Sequence, residues 1–226
     1  KNKNKKMKLI PILKLLSLLM IFSLVTLQPV TSQNRNNQSG RDFNIMFYNV
    51  ENLFDTINDS LKNDDEFTPA GKIPWTSERF QIKIKHIAQV ISSVNKPDLP
   101  DIIGLAEIEN DFVLNKLIEA NSLKKIGYKI VHYESPDERG IDVALLYNPA
   151  TFTVTESKPI HVNLPDNDLT RDILYVTGNT VSGNELHIFV NHWPSRSGGT
   201  EISEPKRKIA AQVLKTEVDN LLKKDS

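Results

Sequence analysis

Three strand-like segments of this chain each carry an apolar stripe that ends in a polar side chain. In residues 43–49, Phe43, Ile45, Phe47 and Asn49 share one side. In residues 101–107 the set is Ile103, Leu105 and Glu107; in the segment opening at Glu185 it is Leu186, Ile188, Val190 and His192. Alternate residues of a strand point to one face. An amide, a carboxylate and an imidazole are therefore expected at three strand ends, on the side that is buried. Ligands of α/β sheets bind at strand ends. A polar residue at one strand end is ordinary; three together, of types suited to phosphoryl chemistry, read as a site.

The surrounding sequence carries a resemblance. The blocks FYNVENLFD (47–55), GLAEIEN (104–110), RGIDVALLYNP (139–149), TRDILYVTG (170–178) and HIFVNHWPSRSGG (187–199) resemble, in order, successive motifs of the endonuclease/exonuclease/phosphatase family. The resemblance covers about residues 42 to 222, and NHWPSR is its most specific block. It implies a deoxyribonuclease I-like fold and a hydrolase of phosphoric ester bonds. It also implies roles at matching positions. Glu107 would hold Mg²⁺, with Mn²⁺ or Ca²⁺ as alternatives; a hard ion wants oxygen ligands and keeps several waters, so one or two carboxylates suffice. Asn49 would bind the phosphate or orient a catalytic group. His192 would act on the scissile phosphate as an acid or as a charged donor. Asp142, with Glu138 as the alternative, would orient His192. Arg171 would hold a phosphate oxygen through its forked donors, and Ser195 and Arg196 would reach substrate from the following loop. The family's later Gly-Asp-Phe-Asn and Ser-Asp-His segments do not occur in the sequence. The chain is thus expected to be an incomplete piece, inactive alone and monomeric when complete.

Positioning those residues requires strands alternating with helices, then adjacent strands. Phe80, Ile84, Ile87 and Ile91 form one stripe and predict a helix over 77–93, capped by Ser77. A second helix is expected over 111–123. Further strands are expected over 128–133, 141–147, 152–156, 172–181 and 185–191, the last two joined by a Ser182-Gly183-Asn184 turn. A final helix is capped by Ser203, has Pro205 in its first turn, and carries the stripe Ile209, Val213, Val218, Leu221 and Leu222. This pattern predicts an α/β sandwich of two mixed β-sheets flanked by helices, incomplete at the C-terminus. Residues 51–76 form an unusually long connection, which is often functional. His86 reads as structural, His132 and His161 lie in no motif, and His187, the first residue of the 187–199 block, is given no role.

The N-terminus reads as an export signal. Residues 1–14 hold six lysines and no acid, an apolar run follows to Val25, and Val30-Thr31-Ser32 places cleavage after Ser32. The run is too short to cross a bilayer, which needs about 20 apolar residues, and Lys14 blocks its extension. Residues 33–41 are a polar lead-in and 42–226 the domain. The whole chain has 28 basic and 28 acidic residues; removing 1–32 leaves 22 against 28, a net of −6. An acidic protein is a poor non-specific nucleic-acid binder, so metal ions and local cations must offset repulsion from a phosphodiester. Cysteine is absent, which excludes disulfides, thiolate metal sites and a thiol nucleophile. Together these readings predict a secreted or periplasmic, metal-dependent phosphodiesterase, with a nuclease as first choice. A phospholipid or sugar-phosphate phosphodiesterase, or a non-catalytic secreted binding protein, are the alternatives.

Overall fold

The computed structural model describes residues 41–224 apart from Asn95 and Ser197. The export segment and most of the lead-in therefore lie outside the described residues. Among the described residues no helix is long and apolar enough to cross a membrane.

Among the described residues, seven strands form two sheets. The first holds β1 (Ile45–Leu53), β2 (Ile102–Ile108), β4 (Asp142–Tyr147) and β3 (Lys129–His132), in that order. The β1–β2 pair is parallel and the other two are antiparallel. The second sheet, β5 (Phe152–Ile160), β6 (Ile173–Thr180) and β7 (Glu185–Val190), is antiparallel throughout, so only one of the two sheets is mixed.

The helices are α1 (Ser77–Ser93), α2 (Asp111–Ile118) and α3 (Thr200–Lys224). The stripe Phe80, Ile84, Ile87 and Ile91 of α1 is buried against Ile103, Leu105 and Ile108 of β2, with Val113, Leu114 and Leu117 of α2 in the same core. On its other face the first sheet gives Ile102, Ala106, Val143 and Leu145 to a core shared with Phe152, Leu174, Val176 and Val190. The far face of the second sheet, with Ile160, Ile173 and Tyr175, is covered by Ala210, Ile209, Val213, Leu214 and Leu221 of α3. The layers thus run helix, sheet, sheet, helix, which is the deoxyribonuclease I-like sandwich.

Local chemistry moves several boundaries. The cap of α1 is Thr76, whose hydroxyl accepts from the Arg79 amide at 3.4 Å, not Ser77. α2 stops at Ile118, five residues early, and a short 3-10 turn (Lys124–Ile126) follows. α3 begins at Thr200, so Ser203 and Pro205 lie inside it; the Ser203 hydroxyl donates to the Gly199 carbonyl at 2.7 Å. Leu222 is exposed, and Leu214 takes a place in the stripe.

The long connection after β1 is folded back by aromatic packing. Phe67 stacks on Phe54 at 4.2 Å and meets Trp75 edge-on, and the Trp75 indole donates to the Phe54 carbonyl at 2.9 Å. This fixes Trp75 beside the start of α1.

Candidate active site

Asn49, Glu107 and His192 meet. The Asn49 amide Nδ2 donates to Glu107 Oε1 at 3.0 Å, and His192 Nε2 lies 3.5 Å from the same oxygen. Two β-bulges make this possible. Strict alternation would turn Glu107 to the helix side with Ile103 and Leu105. Between Ala106 and Ile108 the pairing of β2 with β4 slips by one residue, and Glu107 sits at φ 64°. The neighbouring strand slips between Asn49 and Leu53, with Glu51 at φ 56° and Asn52 at φ 63°. A non-glycine residue in this region costs about 1–2 kcal/mol, and bulges are used next to active sites to re-aim a side chain. Here they aim Glu107 toward Asn49 and His192. Gly104 lets the two layers approach at this end: a Cβ there would lie 3.3 Å from both Phe47 and Val190.

The stripe of β1 is not buried as its alternation suggests. Ile45 and Phe47 are 61% and 59% exposed, because β1 is an edge strand; its other residues, Met46, Tyr48 and Val50, pack toward the helices. Asn49 therefore opens onto solvent.

His192 is held below the ordinary imidazole value, first by burial and then by the Arg171 cation, with Glu107 opposing. This direction favours the uncharged ring over a charged donor. Its Nδ1 is buried with no hydrogen-bond partner among the described residues.

Asp142 does not orient it. The Asp142 carboxylate takes the Ser135 amide at 2.9 Å and faces His132 Nε2 at 3.3 Å. The register explains the substitution of partners: β3 flanks β4, with His132 opposite Ala144, so His132 is the imidazole within reach of the strand's first residue. Glu138, the alternative, is exposed on the preceding loop.

Arg171 is likewise committed elsewhere. Its guanidinium pairs with Asp137 at 2.8 Å and donates to the carbonyls of His192 and Trp193 at 3.1 and 2.9 Å, and its side chain is 7% exposed. The fork that was expected to grip phosphate instead braces the segment that carries His192. Ser195 and Arg196 are exposed on the loop that follows.

The structure adds groups that the sequence did not single out. Arg79, Lys83 and His86, at helical spacings of four and three, line a cavity of about 380 Å³ together with Trp75, Asn49 and Glu51. Lys83 Nζ lies 5.8 Å over the Trp75 ring, Arg79 5.4 Å over it. Burial lowers the Lys83 pKa, with Glu51 and Glu107 opposing. The signal was a cationic row beside the α1 apolar stripe; His86, read as structural, belongs to it and is exposed.

The Glu107 side chain is 16% exposed and carries an oxygen donor of the kind a hard divalent ion takes, with the Lys83 cation close enough to interact with its charge.

The sequence pattern described as Endonuclease/Exonuclease/phosphatase family matches residues 44–226. No curated protein matches the chain. Among solved structures, TDP2 from C. elegans is 18% identical, with a TM-score of 0.52, over 99% of this chain and 65% of that one. A humanized D. rerio TDP2 is 14% identical, with a TM-score of 0.50, over 76% of this chain and 56% of that one. ANGEL2, described as a 2',3'-cyclic phosphatase, is 17% identical, with a TM-score of 0.41, over 65% and 40%. The chain thus spans between 40% and 65% of the length of these three structures. With most of its length matched, the chain belongs to the endonuclease/exonuclease/phosphatase family, whose members are hydrolases of phosphoester bonds.

Proposed function

We propose that this chain supplies the metal-holding part of a phosphodiester hydrolase that acts on nucleic acid outside the cytoplasm. The observation that carries the reading is the meeting of Asn49, Glu107 and His192 from three strands of two sheets. Glu107 holds a divalent ion, Mg²⁺ by preference, while the Asn49 amide fixes the carboxylate oxygen. Such an ion, when bound, withdraws charge from the phosphate and lowers the pKa of its water. His192 donates a hydrogen bond to a phosphate oxygen beside it. Arg171 contributes by bracing the His192 backbone. Lys83 and Arg79, held over Trp75, supply the local positive charge that an acidic protein needs to accept a polyanion, and this favours nucleic acid over a small neutral ester. Export rests on the basic, apolar and small-residue succession of the first 32 residues.

The test is hydrolysis of plasmid DNA, RNA, sphingomyelin and bis(4-nitrophenyl) phosphate by the full-length gene product, with and without Mg²⁺. Glu107→Gln should abolish metal-dependent turnover while the circular dichroism spectrum stays unchanged. His192→Ala should lower turnover by about 10²- to 10⁴-fold. Undiminished turnover by Glu107→Gln at the same metal concentration would remove Glu107 from the site, and turnover of the lipid alone would replace the nuclease reading.

A further inference from the structure

A second cluster lies at the same end of the first sheet, outside the site described above. His132, Glu134 and Asp142 present ligand atoms that all lie within 4.8 Å of one another. We infer that these three side chains form a separate site for a transition-metal dication of the zinc type, with Asp111 as its outer support.

The geometry fits. His132 Nε2 and Asp142 Oδ2 are 3.3 Å apart. With metal–ligand distances of about 2.1 Å, that separation subtends an angle of roughly 104° at a shared ion, close to tetrahedral. On its other side the ring meets a second carboxylate: His132 Nδ1 is 3.0 Å from Asp111 Oδ1. A carboxylate behind an imidazole is the arrangement that fixes the ring and its tautomer at metal sites, leaving the far nitrogen free to ligate. The free carboxylate oxygen of Asp142 is held as well, by the Ser135 amide at 2.9 Å. The side chains of His132 and Asp142 are each 2% exposed, so both ligands are rigid and nearly closed off.

Glu134 is the exposed third ligand, and it opens onto a cavity of about 370 Å³ whose wall carries Asp55, Asp59, Asp64 and Glu109, with Lys62 and Arg139 among them. Carboxylates outnumber the two cations, so the wall stays acidic and favours the approach of a dication. One imidazole with two carboxylates suits zinc better than magnesium, which prefers oxygen ligands alone and retains its waters.

The inference stands apart from the hydrolase reading, because it does not use Glu107, Asn49 or His192. The experiment is calorimetric titration of metal-free protein with Zn²⁺, and with Mg²⁺ as the control metal. One Zn²⁺ per chain should bind, and Mg²⁺ should not compete for it. His132→Gln should abolish that binding. Glu134→Ala, a surface change that leaves the fold intact, should weaken it at least about tenfold, and Asp111→Asn by about 10- to 100-fold. Glu107→Gln should leave it untouched. Absorption of bound Co²⁺ in the visible range should report a nitrogen and oxygen site of low coordination number, lost in His132→Gln. Three results would overturn the proposal: no Zn²⁺ taken up by the folded chain, uptake unchanged in Glu134→Ala and His132→Gln, or uptake removed by Glu107→Gln. In the first two cases His132 is an ion-pair partner of Asp111 and Asp142 and nothing more.

Discussion

Replacing Arg171 by Met separates two physical roles that the sequence could not tell apart. If the guanidinium waits for phosphate, the variant should keep its stability and lose substrate affinity. The structure predicts the reverse order of effects. Arg171 is 8% exposed and Asp137 4%. The pair is buried, and two backbone carbonyls, of His192 and Trp193, depend on the same side chain. Removing one partner of a buried pair typically costs about 3–5 kcal/mol, because the other charge is left uncompensated. Asp137 keeps the Arg139 amide at 3.0 Å and the Arg139 guanidinium at 3.9 Å, so its charge is partly met after the change. That places the cost near the low end, about 3 kcal/mol. For a domain of this size each kcal/mol moves Tm by about 2–4 °C, so Arg171→Met should lower it by roughly 6–12 °C. Thermal unfolding followed by circular dichroism measures this directly. Asp137→Asn should also destabilise, and the double variant should cost less than the sum of the two single changes, since both break one interaction. A Tm shift under about 2 °C for Arg171→Met, with the loss confined to substrate affinity, would refute the bracing role and restore the phosphate contact.

Other outcomes follow from particular contacts. Thr76→Ala should cost about 1 kcal/mol and Ser77→Ala much less, since only the Thr76 hydroxyl caps α1; parallel denaturant melts distinguish them. Lys83→Met should weaken binding of a single-stranded oligonucleotide by about 1 kcal/mol, roughly fivefold, and lower the salt slope by about one; fluorescence anisotropy across a salt series reads both. Asp172 carries a pH signature. Burial raises its carboxyl above the ordinary 3.8, with the His161 contact opposing. A raised folded value means the folded state binds the proton more tightly. The stabilisation is therefore fully present below the unfolded pKa and is lost as pH rises through the folded one. Asp172→Asn should accordingly gain on the wild type in Tm as pH rises above the ordinary carboxyl value of 3.8; a gap that is flat or closes with rising pH would contradict this.

The sequence by itself determined the order and type of nearly every element. The 77–93 helix appears over the same residues, because four apolar positions at helical spacing leave little choice, and the strands err mainly at their ends. It also singled out an amide, a carboxylate and an imidazole, although Asn49 lies inside β1 where its regular pairing breaks and His192 stands two residues past β7. What it could not supply was direction. β2 is buried on both faces, so its sequence has no alternation to say which way Glu107 points, and the slip at φ 64° that turns it toward Asn49 and His192 is a property of the paired strands. The partners of the charged residues were equally hidden. Arg171 and Asp137 are 34 positions apart, and Asp142 reaches His132 because β3 lies against β4 while His192 arrives from the other sheet. Local sequence sets which residues sit on a strand or helix, through propensity and hydrophobic period. Which charge faces which is settled only when distant strands take their register, since a buried ion finds its partner through the packing of the whole sandwich.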